Sequence, residues 1–68
     1  MKKFVVQKRI GDRYTTLGFY QDKDLALREG KRFFQEAAEK CSVVCIRAEV
    51  DEDGNVDRSK YQLYDAWR

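Results

Sequence analysis

Two runs rich in β-forming residues at the start of the chain predict a β-hairpin. The runs extend from Lys2 to Ile10 and from Arg13 to Tyr20, and Gly11-Asp12 between them is typical of a two-residue turn because glycine accepts a positive φ. Such a turn also predicts the register, and paired residues point to the same face. The predicted pairs are Ile10 with Arg13, Lys8 with Thr15, Val6 with Leu17, and Phe4 with Phe19. The predicted core face consists of Phe4, Val6, Ile10, Leu17 and Phe19.

An amphipathic helix is predicted over residues 23 to 40. Asp22 can cap its N-terminus, and Asp24 in the first turn favours the helix dipole. Apolar or small residues recur at helical spacing and form a single stripe, as expected for a helix on a sheet. The stripe consists of Ala26, Leu27, Gly30, Phe33, Phe34, Ala37, Ala38 and Cys41. Gly30 costs about 1 kcal/mol relative to alanine, so it predicts a close approach of helix to sheet.

Two more strands are predicted after the helix, over residues 42 to 50 and 60 to 67. The first contains the most apolar run of the chain, Val43 to Ile46, and therefore belongs inside the sheet. A right-handed connection through the helix then gives a fully antiparallel sheet in the order 2-1-3-4. The predicted fold is a two-layer α+β sandwich of the order β-β-α-β-β, with one helix on one face of a four-stranded sheet.

Composition predicts a single domain, residues 1–68, with a core near the lower size limit for independent folding. The 14 basic and 12 acidic residues nearly balance, but the first hairpin is basic and residues 49–57 are acidic. No signal peptide or membrane-spanning run is visible, so we expect a cytoplasmic protein with reduced cysteines and no membrane partner.

The acidic segment has two interpretations. Residues 49–57 place oxygen ligands and a glycine at the spacing of a calcium loop. However, Lys60 stands where that loop needs a glutamate, and the flanking segments are predicted strands. The preferred interpretation is a hairpin loop that turns at Asp53-Gly54-Asn55.

No catalytic, cofactor-binding or metal site is predicted. Cys41 and Cys45 straddle a helix end and a strand, unlike a redox or zinc motif, and a four-cysteine zinc site would need a second chain. The chain has no histidine to act as a general base, and Ser42 and Ser59 have no evident activating partner. We therefore expect a protein that is not an enzyme and has no small-molecule substrate. A small enzyme would require a cofactor or a second chain to supply the missing groups.

The sheet face opposite the helix is the predicted interaction surface, because one helix covers only one face. It consists of Lys3, Val5, Arg9, Tyr14, Tyr20, Val43, Arg47 and Tyr64, with Thr16, Cys45 and Gln62 beside them. Protein interfaces are enriched in tyrosine and arginine, so the leading hypothesis is an interaction module that pairs with itself, or with another protein. The alternative is nucleic-acid binding, in which the tyrosines stack on bases and the cations bind phosphates.

One junction invites comparison with DNA-binding domains. Leu17 to Tyr20, followed by the capped helix start Asp22 to Ala26, resembles the strand-to-helix junction of ethylene-response-type and integrase arm-type domains. Those domains read duplex DNA with a three-stranded sheet backed by a helix. Here two strands precede the helix and two follow it, which departs from their pattern, so the chain is not assigned to that family.

Overall fold

The computed structural model describes residues 1–68 and has the predicted element order. The elements are β1 (Lys2–Ile10), β2 (Arg13–Tyr20), α1 (Lys23–Glu36), β3 (Ser42–Val50) and β4 (Val56–Trp67). The strands form one antiparallel sheet in the order β2-β1-β3-β4, and α1 packs on one of its faces. The fold predicted from the sequence is therefore confirmed. No helix of the chain has the length and apolarity needed to cross a membrane.

The hairpin of β1 and β2 has the predicted register only near its turn. Gly11 adopts a φ of 60°, and the pairs Ile10–Arg13 and Lys8–Thr15 form as predicted. A bulge then leaves Leu17 without a partner, so that Val6 faces Gly18 and Phe4 faces Tyr20. The predicted pairs Val6–Leu17 and Phe4–Phe19 are wrong. The extra residue in β2 reverses which face each later side chain points to.

The start of α1 and the role of its glycine agree with the sequence prediction. The Leu25 amide donates to Asp22 Oδ2 at 3.2 Å, which satisfies one of the free amides of the first turn. Gly30 is buried against the sheet, and a Cβ built on it would lie 2.6 Å from Trp67 Cζ3. The glycine therefore lets the helix and the Trp67 ring approach closely, as predicted.

The helix ends at Glu36 rather than at residue 40. Ala37 adopts an extended conformation with φ −65° and ψ 127°, and residues 37–41 connect α1 to β3. This connection is held to the sheet by Lys8 Nζ, which lies 2.7 Å from Glu39 Oε1, and by Cys41, which packs beneath the helix. These tertiary contacts replace the last predicted helical turn. β4 likewise begins at Val56 rather than at residue 60, because Val56 pairs with Val50.

Apolar side chains form a separate cluster on each side of the sheet. The helix-side cluster contains buried Val6, Ala26, Val43 and Cys45, with Phe4, Leu17, Tyr20, Leu27, Phe33, Phe34, Cys41, Tyr64 and Trp67 packed against them. The outer cluster contains buried Val5, Ile46, Ala48 and Val50, with Val44 and Val56 packed against them. The sheet face that carries the outer cluster, and that α1 does not cover, is called the outer face.

Candidate interaction site

The eight residues of the predicted interaction surface divide between the two sides of the sheet. The outer face carries Lys3, Val5, Arg9 and Tyr14. The helix side carries Tyr20, Val43, Arg47 and Tyr64. Thr16 lies on the outer face as predicted, whereas Cys45 lies on the helix side and Gln62 pairs with Arg47. Half of the predicted surface is therefore placed on the wrong face.

Tyr20 lies on the helix side because of the bulge in β2. Beyond the bulge it pairs with Phe4, and its ring joins the helix-side cluster. Burial raises the pKa of its phenol. The same bulge moves Phe19 from the predicted core face to the outer face, where it pairs with Val5. Ile10 was also predicted in the core but is 43% exposed, because it lies near the turn.

Val43 and Arg47 lie on the helix side because of the register between β1 and β3. Val6 pairs with Cys45 and Phe4 pairs with Arg47, so odd-numbered residues of β3 share a face with even-numbered residues of β1. Val43 is fully buried in the helix-side cluster. The Arg47 guanidinium stands 5.6 Å from the centre of the Phe4 ring.

Tyr64 lies on the helix side because of a bulge in β4. Cys45 pairs with Asp65 and Ile46 pairs with Leu63, which leaves Tyr64 as the extra residue. Its ring packs edge-on against Phe4 with the ring centres 5.2 Å apart. Leu63 is directed to the outer face by its pairing with Ile46.

Val5 lies on the outer face as predicted, but its side chain is fully buried. No helix covers this face, so the shielding comes from other side chains of the same sheet. The expectation that Val5 is available for docking is therefore wrong.

Arg58 on β4 connects side chains of the outer face and was not predicted from the sequence. Its guanidinium lies 3.7 Å from the centre of the Tyr14 ring and 4.7 Å from that of Tyr61. Its Nη1 donates a hydrogen bond to Oε1 of Gln7, which is only 3% exposed, and Gln7 Nε2 donates to Thr16 Oγ1 at 3.3 Å. One side chain thus links β4 to β1 and β2 across the outer face.

A second irregularity in β4 makes this reach possible. Ala48 pairs with Tyr61 and Val50 with Val56, so β4 advances five residues while β3 advances two. Residues 57–60 are therefore displaced from the regular ladder, and Arg58 is among them. Asp57 supports the displaced segment by accepting hydrogen bonds from the Ser59 hydroxyl at 2.6 Å and the Ser59 amide at 2.9 Å, which lower the pKa of its carboxyl group.

Four large apolar side chains remain substantially exposed on the outer face. This exposed apolar set consists of Tyr14 at 38%, Phe19 at 39%, Tyr61 at 48% and Leu63 at 54%. Cations lie beside two of its rings, with Lys3 Nζ 5.7 Å from the centre of Phe19 and the Arg9 guanidinium 5.8 Å from that of Tyr14. Tyr61 and Leu63 alternate along β4, and that period of two was a signal that they share a face.

An acidic loop and a group of cations lie at opposite ends of the sheet, and Lys2 and Lys3 share the end that carries the loop. At one end is the β3–β4 loop, residues 51–55, with three carboxylates and no cation. A Cβ built on Gly54 of this loop would lie 3.9 Å from Phe19, so the loop approaches the outer face. At the other end, Arg9 pairs with Ser42 near the β1–β2 turn. The cations there are Arg9, Arg13, Lys40 and Arg68, and the turn itself contains Asp12.

The acidic loop is built as a hairpin loop. Asp51 Oδ1 accepts from the Asp53 amide at 3.0 Å and the Asn55 amide at 2.8 Å, and Oδ2 accepts from Asn55 Nδ2 at 3.2 Å. The Asn55 bonds are the main reason that the pKa of the Asp51 carboxyl group is lowered. Gly54 takes a φ of 84° to complete the turn. Because Asp51 already holds the loop closed, its carboxylate is committed to the chain itself.

The groups with shifted pKa values are dispersed. Burial, and secondarily the charge of Asp65, raises the pKa of the Cys45 thiol to about 11. The hydrogen bond to Glu39 raises the pKa of Lys8, but that pair belongs to the connection after α1. These two groups occupy different environments and do not form a nucleophile–base pair.

The chain matches no protein-family model, no curated protein and no solved structure. No residue therefore acquires a role by likeness to another protein. The function has to be argued from the outer face itself.

Proposed function

We propose that the protein is a non-catalytic interaction module that binds a second copy of itself through the outer face. The observation that carries this proposal is the exposed apolar set, in which Tyr14, Phe19, Tyr61 and Leu63 lie on one sheet face. Large apolar side chains grouped on one face, with arginine among them, are typical of protein interfaces.

The small core favours further burial by association. Only 10 of the 68 residues are buried, and a core of this size contributes little net stability after the cost of ordering the chain. Packing two outer faces together would remove the exposed apolar set from water in both copies at once.

The charge distribution favours a second copy as the occupant. A two-fold axis that lies between two facing sheets, perpendicular to their strands, places the acidic end of one copy over the basic end of the other. The carboxylates of the β3–β4 loop of one copy are thereby brought toward the cations at the far end of the other. Four strands about 4.8 Å apart and about 30 Å long give an area on the order of 600 Å² per copy, at the small end for a specific interface. A dimer with micromolar affinity is therefore expected.

Binding of single-stranded nucleic acid is the second candidate. It is supported by Lys3 and Arg9, whose charges lie beside the rings of Phe19 and Tyr14. It ranks second because Arg58 already stacks on Tyr14 and Tyr61, and those ring faces are what bases would need.

Sedimentation equilibrium over the micromolar to millimolar range tests the proposed function. The wild-type chain should dimerise, and Leu63→Lys should weaken the dimer because it places a charge in the apolar contact. Gln35→Lys is the control for added charge, since Gln35 is exposed on α1, on the other side of the sheet. A wild-type chain that stays monomeric throughout, or equal effects of the two variants, would rule out self-association through this face.

A titration with a labelled single-stranded oligonucleotide at low salt separates the two candidates. If the outer face serves self-association alone, the oligonucleotide should not bind to it. Tight binding that weakens steeply with salt and is lost in Arg9→Glu would instead favour the nucleic-acid function.

A further inference from the structure

The charged side chains that line a cavity at the basic end of the sheet are all cations. The cavity has a volume of about 380 Å³, and its charged lining residues are Arg9, Lys40 and Arg68. Ser42 adds a hydroxyl group to the same wall. Arg9 is held in place because its Nε donates to the carbonyl of Gly11 at 2.8 Å.

The cations of this basic cavity have no carboxylate partner within the chain. The ion pairs of the protein involve Lys8, Arg32 and the amino group of Met1, and none involves Arg9, Lys40 or Arg68. The Coulomb attraction between opposite charges is stronger where the contact is partly shielded from water. The cavity is thus suited to an anionic group, and arginine side chains bind carboxylates through charge-assisted hydrogen bonds.

The β3–β4 loop supplies unpaired carboxylates at the other end of the sheet. Asp51 is committed to the loop amides, whereas Glu52 and Asp53 form no ion pair and are exposed. The loop follows β3, and the cavity lies where β3 begins. The two features are therefore separated by the length of a nine-residue strand, about 30 Å.

We infer that Glu52 and Asp53 of one copy bind in the basic cavity of the other copy, and that this contact fixes the antiparallel arrangement of the two sheets. The inference rests on the proposed self-association. A two-fold axis near the middle of the sheet makes the contact twice, once at each end of the interface. The parallel arrangement would place loop against loop and cavity against cavity, which like charges disfavour.

A charge-reversal pair tests the inference. The loop variant carries Glu52→Lys and Asp53→Lys, and the cavity variant carries Arg9→Glu and Lys40→Glu. Each variant alone brings like charges together at both ends, so its homodimer should be weaker than wild type by about tenfold or more. A mixture of the two restores opposite charges at both ends. Native mass spectrometry and sedimentation of the mixture should therefore detect the heterodimer at near wild-type affinity.

A control for net charge is available on the exposed face of α1. Arg28→Glu with Lys31→Glu makes the same change in charge as the cavity variant, far from the loop and the cavity, and should dimerise as wild type does. Circular dichroism of each variant establishes that it is folded before its association is compared.

The possible failures are distinguishable. A wild-type dimer whose affinity is unchanged in both reversal variants would overturn this contact and leave association through the outer face intact. Folded variants that lose self-association but form no heterodimer would also overturn it. A wild-type chain that is monomeric at all concentrations would overturn the proposed function, and this contact with it.

Discussion

Replacing Arg58 with alanine should destabilise the fold by about 2 to 5 kcal/mol. The main loss is the hydrogen bond from Nη1 to Gln7 Oε1, because Gln7 is 3% exposed and its acceptor would be left without a partner. An unsatisfied buried acceptor costs about 1 to 3 kcal/mol. The contacts with the rings of Tyr14 and Tyr61, at 3.7 Å and 4.7 Å, add about 0.5 to 1 kcal/mol each.

Urea unfolding followed by circular dichroism measures this loss. Each variant is unfolded at two protein concentrations, so that stability due to association is separated from stability within one chain. Arg28→Ala on the exposed face of α1 is the matched control, with an expected change within about 0.5 kcal/mol. Arg58→Lys keeps the charge but lacks the planar guanidinium, so it should lose most of the same free energy.

A second substitution identifies the cause of the loss. Gln7→Leu in the Arg58→Ala background removes the unsatisfied acceptor and should recover part of the lost stability, because no buried polar group remains unpaired. If Arg58→Ala costs no more than Arg28→Ala, the idea that Arg58 stabilises the fold by linking β4 to β1 and β2 is wrong. If Arg58→Ala loses the expected free energy of unfolding and Gln7→Leu recovers none of it, the loss comes from the ring contacts instead.

Three further predictions follow from the packing and the titrating groups. Gly30→Ala should lower the melting temperature although alanine favours helix, because its Cβ would lie 2.6 Å from Trp67 Cζ3. Adding Trp67→Leu should reverse part of the loss, and a Gly30→Ala variant more stable than wild type would contradict this packing. The lowered pKa of Asp51 means that its contribution to stability is present above the unfolded pKa of about 3.9 and is lost as the pH falls through the lower folded pKa. In urea unfolding from neutral to acid pH, Asp51→Asn should therefore lose less stability on acidification than the wild type, and an identical pH profile would argue against this role. The Cys45 thiol, with a pKa of about 11, should resist iodoacetamide at about pH 8 until the chain unfolds, whereas half-buried Cys41 should be labelled first. Peptide mass spectrometry measures the labelling, and Cys45 labelled in the folded protein would refute this prediction.

The features that the sequence predicted correctly depend on local rules. The hairpin register near Gly11 follows from turn geometry, and the start of α1 follows from the cap at Asp22. The strand order follows from the apolar run in β3 and from connection rules. Gly30 was recognised as a contact site because its position in the apolar stripe had no other physical reason.

The face assignments failed where the local rules give no information. Val43 to Ile46 is apolar at every position, so alternation cannot tell which face of β3 meets the helix. The register between β1 and β3 is set by packing, since the two strands are far apart in the chain. Bulges in β2 and β4 then move Tyr20 and Tyr64 to the helix side, because one extra residue reverses a pattern whose period is two.

The amino-acid sequence by itself determined the type and sequence of the elements and their order in the sheet, because each depends on hydrophobic period, turn chemistry or chain connectivity. Only the tertiary structure decided which side chains form the outer face and that Arg58 joins three strands across it. Those outcomes depend on register and on contacts between residues distant in the chain, whose energies arise only after the strands have paired.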